Sequence, residues 1–232
     1  MNLVAILAGG VGARMGMSRP KQFLEFAGRT VLEHSVQAFE NHPVVDKILI
    51  VMNSDYVDEA KTIIKRNNWP KVCGVIIGGN NRYDSSGAAI DYFLGNAPND
   101  KILIHDAARP LVSAELITRV FSALDKYDAV NVGITPTNTI VEINGKGEVT
   151  ATPDREKLIA CQTPQGFRLG LISRAYEMAA LQADFTATDD CGVVAKMLPD
   201  IKIFVAQGDE NNQKLTRPED LPVFEYFFNR RK

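Results

Sequence analysis

Cysteine is scarce in this chain. Cys73, Cys161 and Cys191 lie far apart, without a Cys-x-x-Cys pair or a Cys/His spacing suited to zinc. A count so low and odd excludes a disulfide scaffold and suits a reducing cytoplasm, where the chain is expected to reside. Long apolar runs are missing too. None approaches the roughly 20 residues that span a bilayer. The apolar start Met1–Leu7 has no basic segment and runs directly into glycines, so it reads as a buried strand and not as a signal peptide. Charge of one sign is also lacking. A formal net charge of −2 over 232 residues offers no bulk attraction to nucleic acid or to an anionic membrane. An anionic substrate therefore has to be held by a local cluster of Lys and Arg. No internal repeat, low-complexity stretch or interdomain linker is visible, so one domain over residues 1–232 is expected.

What the chain does have is alternation. Short apolar runs of the kind buried in parallel sheets occur at Leu3–Leu7, Ile48–Met52, Val72–Ile77, Ile102–Ile104 and Val130–Ile134. Helical patterns fall between them. Thr30 is placed to cap Val31–Glu40, and Ser54 to cap Asp55–Arg66. Asp84 or Ser85 opens a helix to about Leu94, and Ser113 opens one through Lys126. Strands alternating with helices predict an α/β fold, a doubly wound and mostly parallel sheet covered on both faces. After Ile134 the pattern breaks. Thr139–Ile143 and Glu148–Thr152 flank Asn144-Gly145-Lys146-Gly147, a strong hairpin signal. It predicts a β-arm leaving the body at about residues 136–160. The chain then returns through Thr163-Pro164-Gln165. Helices at Leu169–Leu181 and Asp189–Lys196, a strand at Ile201–Ala206 and a last helix from Pro218 follow.

The first strand ends in Leu7-Ala8-Gly9-Gly10-Val11-Gly12-Ala13-Arg14-Met15-Gly16. Glycines here let the backbone approach a ligand and point N–H groups at phosphate oxygens. The dinucleotide pattern fails, because it needs glycine where Met15 stands. The P-loop fails for want of Gly-Lys-Ser/Thr. What remains is a loop with its own cation, Arg14, followed by Arg19-Pro20-Lys21-Gln22-Phe23.

The segment from Leu7 to Phe23 resembles the start of sugar-nucleotide-type nucleotidyltransferases, with a Rossmann-like sheet. Its Pro-Lys-Gln-Phe ending resembles the cytidylyltransferases acting on 2-C-methyl-D-erythritol 4-phosphate or ribitol 5-phosphate. Further matches are His105-Asp106-Ala107-Ala108-Arg109-Pro110, Thr163-Pro164-Gln165, Lys214-Leu215-Thr216-Arg217-Pro218-Glu219-Asp220-Leu221, and Gly78-Gly79 with Arg82 and Ser85. The resemblance covers essentially the whole chain. It implies attack of a polyol phosphate on the α-phosphate of CTP, with loss of pyrophosphate. The nucleophile is already ionised near neutral pH, so positioning and charge stabilisation matter more than a general base.

By this resemblance, Arg14, Lys21 and Lys214 hold the triphosphate and stabilise the transition state. Leu7, Ala8, Gly9, Gly10 and Gly12 meet the nucleotide, together with Gly79, Arg82, Ser85 and Ala107. Asp106 follows a strand at the carboxyl edge where doubly wound folds bind ligands. It is read as a ligand for Mg2+ or another divalent cation, or as a contact to substrate hydroxyls. The bland alternatives are a helix N-cap or a structural pair with Arg109; Ser85 too has an N-cap alternative. The acceptor is expected at Asp106, Arg109, Thr139, Arg155, Thr163 and Thr188. Arg155 would come from the arm of a neighbouring subunit, making the arm the contact of a homodimer.

Leu7-Ala8-Gly9-Gly10 and Thr188-Asp189-Asp190-Cys191 look more like the ribitol 5-phosphate enzymes of teichoic acid and capsule synthesis. The family's Asp-Thr-Ile stands here as Asn138-Thr139-Ile140, and its acidic residue before Asn-x-Lys as Asn211. Both changes remove negative charge near the expected substrate and metal. On the strength of the Leu7–Gly10 and Thr188–Cys191 segments, the expected product is CDP-ribitol. The alternatives are the methylerythritol enzyme of isoprenoid synthesis and a non-catalytic nucleotide-binding relative. At 232 residues there is no room for the reductase fused to some capsule relatives.

Overall fold

A computed structural model describes residues 1–10 and 19–230. The chain opens with β1 (Asn2–Ala8), a small hairpin of β2 (Glu25–Phe26) and β3 (Arg29–Thr30), and α1 (Val31–Glu40). Then come β4 (Lys47–Met52), α2 (Val57–Asn67), β5 (Val72–Ile77), α3 (Arg82–Phe93), β6 (Lys101–Asp106), α4 (Ala114–Ala123) and β7 (Ala129–Ile134). The second half holds β8 (Glu142–Ile143), β9 (Val149–Ala151), β10 (Ala160–Arg168), α5 (Leu169–Ala180), α6 (Asp190–Met197), β11 (Ile203–Gln207) and α7 (Leu221–Arg230).

The described strands form a seven-stranded sheet in the order β11-β7-β10-β6-β1-β4-β5. All neighbours run parallel except β10, which is antiparallel to both β6 and β7. The apolar runs explain the layers. Along β1, Val4, Ile6 and Ala8 pack with α1, α2 and α4, while Leu3 and Ala5 pack with α3, α5 and α6. A strand apolar on both faces can only be stable between two helical layers. A smaller cluster of Phe26, Val31, Leu111, Leu215 and Phe224 seats α7 and the C-terminal segment against the β2–β3 hairpin. That hairpin turns through Ala27 and Gly28, both at positive φ (47° and 79°), the pairing that matches strand twist in two-residue turns.

The expected α/β doubly wound architecture is present, with local corrections. Asn53, not Ser54, caps the chain ahead of α2, and Ser54–Tyr56 form a 3₁₀ turn. Asn81, not Asp84 or Ser85, caps α3, accepting from the Asp84 N–H. In both cases an earlier asparagine, one residue before Ser54 and three before Asp84, offers its side-chain carbonyl to an orphan amide at the start of the helical segment. The return segment Thr163-Pro164-Gln165 is not a connection but the middle of β10, a central strand. Its register slips between Gln162 and Gly166, so Pro164, which has no N–H, sits where the ladder is already broken. The arm is there: β8 and β9 pair with each other as a two-stranded sheet apart from the main one. Its left-handed residue is Gly147 (φ 81°) rather than Gly145, and Asn144 Oδ1 accepts from the N–H groups of Lys146 and Glu148 at 2.9 and 3.1 Å.

Thr30 caps α1 as expected, in a reciprocal capping box with Glu33. Glu33 is buried, which by itself raises a carboxyl pKa. Hydrogen bonds from Asn67, the Thr30 backbone, Arg66 and the Thr30 hydroxyl outweigh burial and bring it down to about 2. A depressed carboxyl pKa contributes stability that is present above the ordinary value near 4.5 and lost as pH falls toward 2. Glu33→Gln should therefore be less stable than the wild type at neutral pH by on the order of 1–2 kcal/mol, allowing for the solvent-screened Arg66 partner. The gap should close between about pH 4.5 and 2. Thermal melts of both proteins across that range test it; a gap independent of pH would refute the assignment.

Candidate functional site

The carboxyl ends of β1, β4, β5 and β6 open into a cleft of about 680 Å³, the place where an open α/β sheet binds ligands. Leu7, Ala8, Gly9 and Gly10 line it from β1, Gly79, Arg82 and Ser85 from the loop and first turn of α3, and Asp106 and Ala107 from β6. Lys21 and Lys214 line it too. Gln22 Nε2 donates to Ala8 O at 2.7 Å and so ties the Lys21 segment to the end of β1. Lys21 Nζ donates to Leu215 O at 2.8 Å, and the Leu215 N–H donates to Ala108 O at 2.8 Å. Two cation-bearing segments almost 200 residues apart are thus laced to the same strand ends. Gly12 and Arg14 lie outside the described residues.

Asp106 is the carboxylate of the cleft. Its Oδ1 accepts from Arg82 Nε at 3.1 Å and its Oδ2 from Lys214 Nζ at 2.5 Å. It is not an N-cap, and the Arg109 guanidinium makes no ion pair with it, although the Arg109 charge also helps to lower its pKa. Burial pushes its pKa up, but Arg82 and Lys214 push harder, and the carboxyl is held well below the usual range. The described lining carries three cations, Lys21, Arg82 and Lys214, against this one carboxylate, so the cleft favours an anion. Among the described residues no group of three or more His, Cys, Asp or Glu could cage a metal by itself. A single carboxylate suits Mg2+ of the kind that keeps its waters and shares substrate phosphates.

The remaining expected residues are placed unevenly. Ser85 lies inside α3, its hydroxyl donating to Asn81 O at 2.9 Å. Gly79 is required sterically, since a Cβ there would come within 2.1 Å of Asp84 Cβ. Arg109 stands outside the lining; it donates to Asn212 O at 2.7 Å and Cys161 O at 3.3 Å, clamping the C-terminal segment to β10. Thr139 and Arg155 meet each other on the exposed arm, 3.3 Å apart, away from the cleft. Thr188 is exposed ahead of α6 and also outside it. Asn80 and Asn81, within the Gly78–Arg82 loop, and Thr216, within the Lys214–Leu221 motif, also line the cleft, and it adds two side chains that the motifs did not single out: Asn53 and Ser54. Asn53 directly follows β4, and the strand-end rule that pointed to Asp106 would have found it.

Comparison with known proteins gives a consistent picture. The family model described as IspD: 2-C-methyl-D-erythritol 4-phosphate cytidylyltransferase matches residues 2–230. The 2-C-methyl-D-erythritol 4-phosphate cytidylyltransferase of Thermobifida fusca (strain YX) is 45% identical over 225 residues, which are 95% of this chain and 90% of that protein. The bifunctional ribulose 5-phosphate reductase/CDP-ribitol pyrophosphorylase Bcs1 of Haemophilus influenzae is 40% identical over 231 residues, 99% of this chain but 48% of that protein. Among solved structures, 4-diphosphocytidyl-2C-methyl-D-erythritol synthase from Anaerococcus prevotii DSM 20548 superposes with a TM-score of 0.85 at 28% identity, covering 99% of this chain and 98% of that one.

Behind Asp106 stands a buried relay. Thr163 Oγ1 accepts from the Asp106 N–H at 3.0 Å and lies 3.2 Å from His105 Nδ1. His105 Nε2 is 3.1 Å from Arg109 O, and a carbonyl only accepts, so Nε2 carries the proton and Nδ1 accepts from the Thr163 hydroxyl. Burial holds this imidazole neutral, with its pKa lowered to about 4. The Thr163 hydroxyl is therefore engaged beneath Asp106 and does not line the cleft. Thr163→Val leaves a buried N–H and an imidazole nitrogen unpaired and should destabilise the fold by about 1–3 kcal/mol. Thr163→Ser should recover most of that loss. Denaturant unfolding measures both, and a valine variant as stable as the wild type would contradict the relay.

Proposed function

Since the chain belongs to the 2-C-methyl-D-erythritol 4-phosphate cytidylyltransferase family, we propose that it transfers the cytidylyl group of CTP to 2-C-methyl-D-erythritol 4-phosphate, releasing pyrophosphate. The observation that carries this reading is the cleft at the strand ends, which Lys21, Arg82, Lys214 and Asp106 line together, Arg82 and Lys214 paired with the Asp106 carboxylate. An oxygen of the acceptor phosphate attacks the α-phosphorus. The bond from that phosphorus to the bridging oxygen breaks, and pyrophosphate takes the electron pair. No proton has to be removed first, so the protein's task is to hold two anions together and to offset the charge spread over the α-phosphate. Lys21 and Lys214 are fixed donors for that charge, tethered by Leu215 and Asp106 respectively. The amides of Asn80 and Asn81 and the backbone of the Gly78–Gly79 loop are suited to read the edge of cytosine. Asp106 would hold a divalent cation jointly with the triphosphate, and such a cation, when bound, neutralises phosphate charge.

The acceptor follows the names of the relatives: the family model and the 45% identical protein both carry methylerythritol 4-phosphate. Ribitol 5-phosphate is the second reading. It is favoured by the 40% identity to a CDP-ribitol pyrophosphorylase and by the Leu7–Gly10 and Thr188–Cys191 segments. The arm would complete the acceptor site in a homodimer. Ile143 and Val149 are each 63% exposed on it, and a two-stranded ribbon is marginal without something to pack on.

Pyrophosphate release from CTP with the two acceptors side by side tests the assignment. Methylerythritol 4-phosphate should give the higher kcat/KM; a higher value with ribitol 5-phosphate would move the acceptor and leave the reaction standing. Excess chelator should abolish turnover. Lys21→Ala and Lys214→Ala should each lower kcat by about a hundredfold, the usual loss for one preorganised electrostatic contact. A wild-type rate in either variant would remove that lysine from the mechanism. Arg155→Ala should raise the acceptor KM by about tenfold, equivalent to one lost charged contact, while CTP affinity holds. A fully active monomer in sedimentation would make the arm structural only.

A further inference from the structure

The charges of the cleft do not stop at its wall. Arg82 Nη2 lies 2.8 Å from Asp190 Oδ2, an ion pair that turns the site into an alternating row: Asp190, Arg82, Asp106, Lys214. The row runs from a fully buried end, with Asp190 0% exposed, to a partly open one, with Lys214 35% exposed. Asp190 and Tyr176 are not among the residues that line the cleft.

Arg82 is the first residue of α3. A cation at a helix N-terminus is disfavoured by the helix dipole, so its place there depends on the two carboxylates that flank it. Asp190 is the first residue of α6, where a carboxylate is favoured. It is immobilised from two further directions. Tyr176 donates its hydroxyl to Asp190 Oδ1 at 2.7 Å. Gln165 Oε1, from β10, accepts the Asp190 N–H at 3.0 Å. The guanidinium is a rigid plane whose Nε and Nη2 point in fixed directions. Holding Nη2 on Asp190 therefore decides where Nε can lie, and Nε is what holds Asp106.

We propose that Asp190, seated by Tyr176, is a positioning residue that sets Asp106 through Arg82, and with Asp106 the register of Lys214 against the reacting phosphates. This rests on the cytidylyl-transfer reading. Without the Asp190 charge, Arg82 is free to turn toward Asp106 or toward the triphosphate, and Asp106 no longer presents Lys214 at one place. Ground-state attraction for CTP is then retained while the geometry of the chemical step is lost.

The test is steady-state kinetics of the wild type, Asp190→Asn, Asp190→Glu and Tyr176→Phe, with calorimetric titration by CTP to count competent sites. Asp190→Asn should lower kcat per competent site by about tenfold to a hundredfold, as small misplacements do. Its CTP KM should stay at or below the wild-type value. Asp190→Glu, which keeps the charge, should restore most of kcat. Tyr176→Phe should shift kcat in the same direction by a smaller factor, and it removes only a hydroxyl, so it serves even if Asp190→Asn folds poorly. A loss of activity matched by an equal loss of competent sites would make Asp190 merely structural and overturn the proposal. So would an unchanged kcat in Asp190→Asn beside an active wild type. A wild type that releases no pyrophosphate with either acceptor would instead overturn the transfer reading itself, and this inference with it.

Discussion

Asp106 places a negative charge at the end of β6, in a cleft whose other charged lining residues are cations, and its two oxygens are paired with Arg82 and Lys214. A buried carboxylate is tolerable only when paired on this scale. The pairing also fixes the Lys214 side chain, 108 residues further along the chain, at the strand ends. The C-terminal segment is otherwise held by its backbone, through Leu215 to Ala108 and through the Arg109 clamp on Asn212, and by the small cluster around Phe26 and Phe224. Remove the Asp106 charge and Lys214 loses its direction while its backbone stays in place.

The surroundings divide into two kinds of support. One is apolar and rigid: β1, β4 and β6 are packed on both faces, so the strand ends that carry Ala8, Asn53 and Asp106 cannot drift relative to one another. The other is polar and directional. Thr163 and the neutral His105 hold the Asp106 backbone from below, and Arg82 holds its carboxylate from the side. A site that works by placing phosphates benefits from both, because dispersion contacts fix distances while hydrogen bonds fix orientation. The arm shares neither support within one chain. Its strands pair with each other and leave Ile143 and Val149 open to solvent.

Much of this was legible in the residues. Two-sided apolar runs mark the parallel strands and Thr30 and Ser113 mark helix starts, because such signals need only near neighbours in the chain. Asn144 to Gly147 marks the arm for the same reason. The cap errors at Ser54 and at Asp84 or Ser85 came from several adjacent residues being competent caps, a choice made by where the strand before them ends. Of the residues expected to meet the acceptor, Asp106 lines the cleft of a single chain, while Arg109, Thr139, Arg155, Thr163 and Thr188 do not.

What the sequence by itself determined is the alternation of strands and helices, the arm, and the stock of cations and the aspartate near the strand ends. Each of these follows from local periodicity or from residue chemistry. Only the tertiary structure decided that β10 inserts antiparallel between β6 and β7, putting Gln165 beside Asp190 and Thr163 under Asp106. It alone decided that Arg82 is shared between Asp106 and Asp190. The reason is that an ion pair between residues 24 or 108 positions apart depends on the order in which strands assemble. A charge in a sequence carries its sign and its reach, but the partner is chosen by the packing that surrounds it.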